Sequence, residues 1–88
     1  RKEFILVNRL GLHARPATLL TETANKFKSS ISGGNATEQG KNLKNIMDVL
    51  MLAVGCDEKL IVIVKGPDEN EALAALEDII ITKHFNED

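Results

Sequence analysis

The sequence predicts an α+β domain in which a single sheet carries all of its helices on one face. Three observations lead there. Two apolar, β-branched runs, Phe4-Ile5-Leu6-Val7 and Leu60-Ile61-Val62-Ile63-Val64, lie near opposite ends of the chain and read as strands. Between them, Ala17, Leu20, Ala24 and Phe27 recur at helical spacing. After the second run, acids followed by Leu73, Leu76 and Ile80 restart the helical period. Such amphipathic elements are stable only when each buries its apolar side against another.

In chain order, the first strand stops at Asn8-Arg9 and Gly11, and an amphipathic helix runs from Ala14 to Lys28. From Ser29 to Leu43 the chain holds Gly33, Gly34 and Gly40 among polar residues, with Ile31 its only large apolar side chain before Leu43. A weak hairpin is expected there. Asn45 is a good N-cap for a shorter helix reaching Val54. Gly55-Cys56-Asp57-Glu58 is a loop, Leu60 to Val64 is the strongest strand, and Gly66-Pro67-Asp68 closes it. Asp68, Glu69 and Glu71 crowd the first turn of the last helix, where the dipole favours acids. Its buried stripe is Leu73, Leu76, Ile80 and Phe85. The order is β-α-β-β-α-β-α, with the two strong strands pairing in the middle of the sheet.

Eighty-eight residues suffice for a single domain, 1–88, and 43% hydrophobic residues allow a small core. A net charge of −2 and 3% aromatic residues argue against a nucleic-acid surface, which needs basic patches and stacking rings. Cys56 is the only cysteine, so no internal disulfide forms and a reducing compartment is expected. The first ten residues lack a signal-peptide core, and no apolar stretch approaches the roughly 20 residues of a membrane span. The expectation is a cytoplasmic monomer without membrane insertion.

The chemistry concentrates in Gly11-Leu12-His13-Ala14-Arg15-Pro16-Ala17-Thr18. A helix start leaves backbone amides without intrahelical partners and carries the positive end of the macrodipole. Those amides, a guanidinium and an imidazole within a few residues make a small anion site. If the anion is a phosphoryl group, the histidine can carry it covalently; otherwise His13 merely caps a helix. Two frames fit the start. Pro16 is the first helical residue with Arg15 as cap, or His13 is the cap and Pro16 is third, where its missing N–H is no loss. The second frame aims the amides of Ala14 and Arg15 at the histidine.

Leu12-His13-Ala14-Arg15-Pro16-Ala17 resembles the active-site signature of the histidine-containing phosphocarrier family, HPr, of the bacterial phosphotransferase system. Asn42 to Met47 looks like the approach to that family's short second helix, and Val62 to Leu76 like its last strand and helix. The resemblance implies an open-faced β-sandwich, a four-stranded antiparallel sheet covered by three helices. It also implies that His13 accepts a phosphoryl group on Nδ1 from phosphorylated enzyme I and passes it to enzyme IIA-type acceptors in sugar uptake. No cofactor is expected. Arg15 offers a planar fork of donors to phosphoryl oxygens. Imidazole is nucleophilic near neutral pH, and its phosphoramidate stays energetic enough to pass on.

In the second helix, Val49, Leu52 and Ala53 are enough for a buried stripe, leaving Ile46, Met47, Leu50 and Met51 for an outer face. Either the small fold wraps this helix on several sides, or the residues form an apolar patch for protein partners, a use that suits methionine. By resemblance, the same helix docks onto enzyme I and its acceptors. Cys56 reads as a small hydrophobe and His84 as a cation near a helix end. With His13 they have no metal-ligand spacing. Scattered lysines at 26, 28, 41 and 44 read as solvated surface.

Two features depart from the family pattern. Ser32 to Lys41 is richer in Gly and polar residues than alternating strands, and Asn45 stands where many members carry a regulatory serine. The tail from Gly66 to Asp88 resembles the nitrogen-related branch, NPr, so a regulatory phosphocarrier is the alternative to a sugar-uptake one. A docking module that is never phosphorylated would not need His13-Ala14-Arg15-Pro16.

Overall fold

The computed structural model describes residues 1–6, 11–52 and 54–82. The strands are β1 (Lys2–Ile5), β2 (Ser30–Gly34), β3 (Lys41–Asn42) and β4 (Lys59–Lys65). The helices are α1 (Ala14–Ala24), α2 (Ile46–Leu50) and α3 (Glu69–Glu77), the last continued by a π-helical turn, Asp78–Thr82. The strands form one antiparallel sheet in the order β1-β4-β2-β3. Phe4 pairs with Leu60, and Ile31 with Val64. This is the open sheet with three helices that the sequence predicts. Expectations for Val7, Ala53, His84 and Phe85 lie outside the described residues.

The two strong strands do pair, but not in the middle, because β1 is an edge. Lys2, Glu3 and Ile5 are exposed and only Phe4 is buried. Charged residues suit an edge, whose outer side meets solvent. In β4, by contrast, Leu60, Ile61, Val62 and Val64 are all buried, as a strand with neighbours on both sides requires. The core lies between sheet and helices. Leu6, Ile31, Leu60 and Val62 meet Leu20, Ala24, Leu43, Val49, Leu52, Leu76 and Ile80, all at most 2% exposed. Leu73 is half-buried against this cluster, and Ala72 joins it.

α1 and α2 start as expected and end early. α1 stops at Ala24 rather than Lys28 because Asn25 terminates it. The Asn25 side-chain amide donates to the Thr21 carbonyl at 2.9 Å and to the Lys44 carbonyl at 3.0 Å, satisfying the free end of the helix. α2 stops at Leu50, and its apolar continuation, Leu52 and Val54, is buried without being helical. The hairpin is real but irregular. Ser32 and Gly33 pair with Asn42 and Lys41. Between the paired segments, Asn35 Oδ1 accepts from the amides of Thr37 and Glu38 at 2.9 and 2.7 Å, a side-chain turn that replaces strand pairing.

Asp68 does something the helix dipole does not suggest. It stands at the cap of α3 without capping it. Its carboxylate reaches across to accept from the amides of Lys28 at 2.8 Å and Ser29 at 2.9 Å, and from the Ser29 hydroxyl. The Ser29 hydroxyl first, and the Lys28 amide next, hold its pKa down at about 2 against an ordinary 3.8. A depressed carboxylate stabilises the fold above its ordinary pKa, and that contribution is lost as pH falls through the folded value. Melting temperature should therefore fall between pH 4 and pH 2 in the wild type. Asp68→Asn should melt lower at pH 7 and lose part of that acid dependence. Parallel Tm–pH curves for the two proteins would show that the carboxylate is not responsible.

Candidate functional site

The site is built at the start of α1. His13 is the residue before the first helical turn, with extended backbone (φ −102°, ψ −166°). Its carbonyl accepts the first intrahelical hydrogen bond, from Ala17 N at 2.9 Å. Of the two frames the sequence allows, the structure takes the one with His13 as cap and Pro16 third. The imidazole makes no capping hydrogen bond. Helical geometry places the amides of Ala14 and Arg15 ahead of the intrahelical ladder, and the third position has no N–H to satisfy. Pro16 and Ala17 are buried, Ala14 and Arg15 exposed, and His13 half-buried. The buried pair anchors the turn while the polar groups face outward.

The approach to His13 is held from behind. Gly11 adopts φ +65°, and a Cβ there would lie 2.5 Å from both Gly55 Cα and Val54 O. Leu12 donates to Val54 O at 2.7 Å and buries its side chain, and His13 N donates to Gly11 O at 3.1 Å. Glycine is required twice over here, by the backbone angle and by the close approach. The sequence shows a glycine before the signature but not the 54–55 segment it packs against, because that contact spans more than forty residues.

α2 lies beside α1. Its start is tied to the exit of α1 through Asn25 and the Lys44 carbonyl, and Lys44 Nζ donates to Phe27 O at 2.7 Å. Its exit leads to Val54, which is bonded to Leu12 next to His13. Asn45 caps α2, its Oδ1 accepting from Met47 N at 2.9 Å and Asp48 N at 3.2 Å. Val49 and Leu52 are buried as expected. Of the outer-face residues, Met47, Leu50 and Met51 are exposed, at 63%, 41% and 65%. Ile46 is not one of them. It is half-buried against the core, because it lies three residues before Val49 and so shares its side of the helix.

Leu19 and Glu22, not foreseen from the sequence, complete the surface: with Ala14, Arg15 and Thr18 they line a shallow depression of ≈ 340 Å³ along α1. The spacing 15, 18, 19, 22 is one helical face, so the signal was present once the cap frame was known. Cys56 is an exposed thiol in the loop after α2. No helix among the described residues is long and apolar enough to cross a membrane.

Comparisons with known proteins agree with this arrangement. The family model described as "PTS HPr component phosphorylation site" matches residues 1–82. The phosphocarrier protein HPr of Treponema pallidum is 42% identical over 82 residues, covering 93% of this chain and 92% of that protein. The crystal structure of an HPr from Thermoanaerobacter tengcongensis superposes with a TM-score of 0.89 at 38% identity, covering 100% of this chain and 99% of the other. The histidine-containing phosphocarrier protein of a mycoplasma superposes at 0.86 with 32% identity, over 96% and 97% of the two chains. Sequence and fold coincide over nearly the full length, and this chain belongs to the HPr family of phosphocarrier proteins of the phosphotransferase system.

Proposed function

We propose that residues 1–88 act as one cytoplasmic, monomeric domain that relays phosphoryl groups through His13. In this reading the Nδ1 lone pair of His13 attacks phosphorus on phosphorylated enzyme I. The N–P bond forms as the bond to the donor breaks, and the same group leaves later to an enzyme IIA-type acceptor in sugar uptake. The observation that carries the reading is the position of His13. It is the cap of α1, makes no capping bond with its ring, and is followed by two amides outside the helical ladder. Phosphoryl transfer asks mainly for positioning and charge neutralisation, which such a helix start supplies. The exposed Met47-Leu50-Met51 surface, connected to Leu12 through Val54, is the docking face for both partners.

The test is to incubate the protein with enzyme I and phosphoenolpyruvate. A mass gain of one phosphoryl group, labile to acid and stable to base, is the expected result. Absence of that gain overturns the reading. Transfer onward to sugar-specific or to nitrogen-related IIA domains separates the two branches.

Arg15 is exposed beside the two amides. Arg15→Lys should fold normally and transfer about tenfold more slowly, because a point charge replaces a forked donor. Equal rates would remove Arg15 from the chemistry. At position 45 an amide cannot accept a phosphoryl group, and the cap it makes keeps the start of α2 intact. Treatment with HPr serine kinase and ATP should give acid-stable phosphate on Asn45→Ser and none on the wild type. Acid-stable phosphate on the wild type, at Ser29, Ser30 or elsewhere, would mean that the switch had moved rather than vanished.

A further inference from the structure

The chain has two methionines, Met47 and Met51, and both are more than 60% exposed. That is unusual, because methionine is normally among the buried residues. They stand four positions apart, Met47 in α2 and Met51 at its C-terminal cap, flank exposed Leu50, and occupy the surface assigned above to partner docking. Neither holds the helix in place. That is done by the Asn45 cap and by Val49 and Leu52, which are at most 1% exposed. The chemistry of the surface can therefore change without loss of the fold.

We propose that Met47 and Met51 are sites of reversible oxidation by hydroperoxides, and that their conversion to sulfoxides weakens docking of the phosphoryl donor. With hydrogen peroxide, the thioether sulfur attacks one oxygen and the O–O bond breaks, and the proton on the transferred oxygen passes to the departing hydroxide. Sulfur is oxidised by two electrons and gains the oxygen, while the other oxygen leaves as hydroxide and takes that proton to become water. The product side chain is polar where the thioether was apolar and adaptable. An apolar docking face thereby acquires two strong hydrogen-bond acceptors that must be desolvated on binding. Thiol-dependent methionine sulfoxide reductases remove the oxygen again. The inference rests on the docking role of this face, and it adds a control over that role.

The test uses the whole chain carrying Cys56→Ser, so that the exposed thiol takes no part. Hydrogen peroxide treatment should add two oxygen atoms, mapped by peptide mass to Met47 and Met51, with the circular dichroism spectrum unchanged. The KM for this protein in phosphorylation by enzyme I should then rise about fivefold, with kcat nearly constant, as expected for lost interface contacts. Sulfoxide reductases should restore it. In Met47→Leu/Met51→Leu, each preparation compared with its own untreated state, peroxide should have no effect on KM. An unoxidised Leu50→Glu variant tests the docking face alone. If Leu50→Glu raises KM and full oxidation does not, the oxidation proposal fails and the docking face stands. If Leu50→Glu leaves KM unchanged, the docking role fails and takes this proposal with it. Resistance of both methionines to peroxide also overturns it.

Discussion

His13→Ala is expected to abolish phosphoryl acceptance and to leave the fold intact. The two effects separate because of how α1 begins. The helix takes its first hydrogen bond from the His13 backbone carbonyl, which alanine retains, and the imidazole contributes no capping bond. Replacing a residue that does cap costs about 1 kcal/mol, so the loss here should be no greater. Buried Pro16 and Ala17, and Leu12 held on Val54, keep the turn in place. The variant should show a wild-type circular dichroism spectrum and a melting temperature within a few degrees of wild type. Its mass after incubation with enzyme I and phosphoenolpyruvate should not change. An acid-labile phosphoryl group on the variant would move the carrier site elsewhere in the chain.

Much of this molecule is legible in its sequence, and the misreadings have physical causes. Periodicity locates α1, β4 and α3, because each has a regular apolar pattern that one face of packing can satisfy. Helix ends are less legible, since they depend on partners distant in sequence. Asn25 stops α1 by bonding Thr21 and Lys44, and Asp68 leaves its own helix to hold Lys28 and Ser29. Neither contact is visible in a local window. The edge position of β1 was readable in Lys2 and Glu3, whose charges are poorly suited to a central strand. Ile46 belongs with the buried stripe rather than the outer face, because it stands three residues before Val49 and shares its side of α2. At the site, sequence narrowed the cap of α1 to two frames, and only the His13–Ala17 hydrogen bond distinguishes them.

The contact least visible in the sequence has a large expected effect on stability. Gly11→Ala asks a β-carbon to sit at φ +65° and 2.5 Å from two backbone atoms of Val54 and Gly55. The left-handed conformation costs a non-glycine residue about 1–2 kcal/mol. Forcing a methyl group against packed backbone adds about 1–3 kcal/mol, because no flexible side-chain end can move aside. The sum, about 2–5 kcal/mol, is a large share of the stability of a domain this small. Gly40→Ala provides the comparison. It also has positive φ, +87°, but a β-carbon there meets nothing within 4 Å. It should therefore show the conformational part alone, about 1–2 kcal/mol. Urea unfolding of the two variants isolates the close approach by difference. Gly11→Ala should also be phosphorylated more slowly per folded molecule, because the displaced backbone leads directly into His13. Gly40→Ala should match the wild type. Equal destabilisation of the two would show that residues 54–55 yield easily, and that His13 is not held from behind.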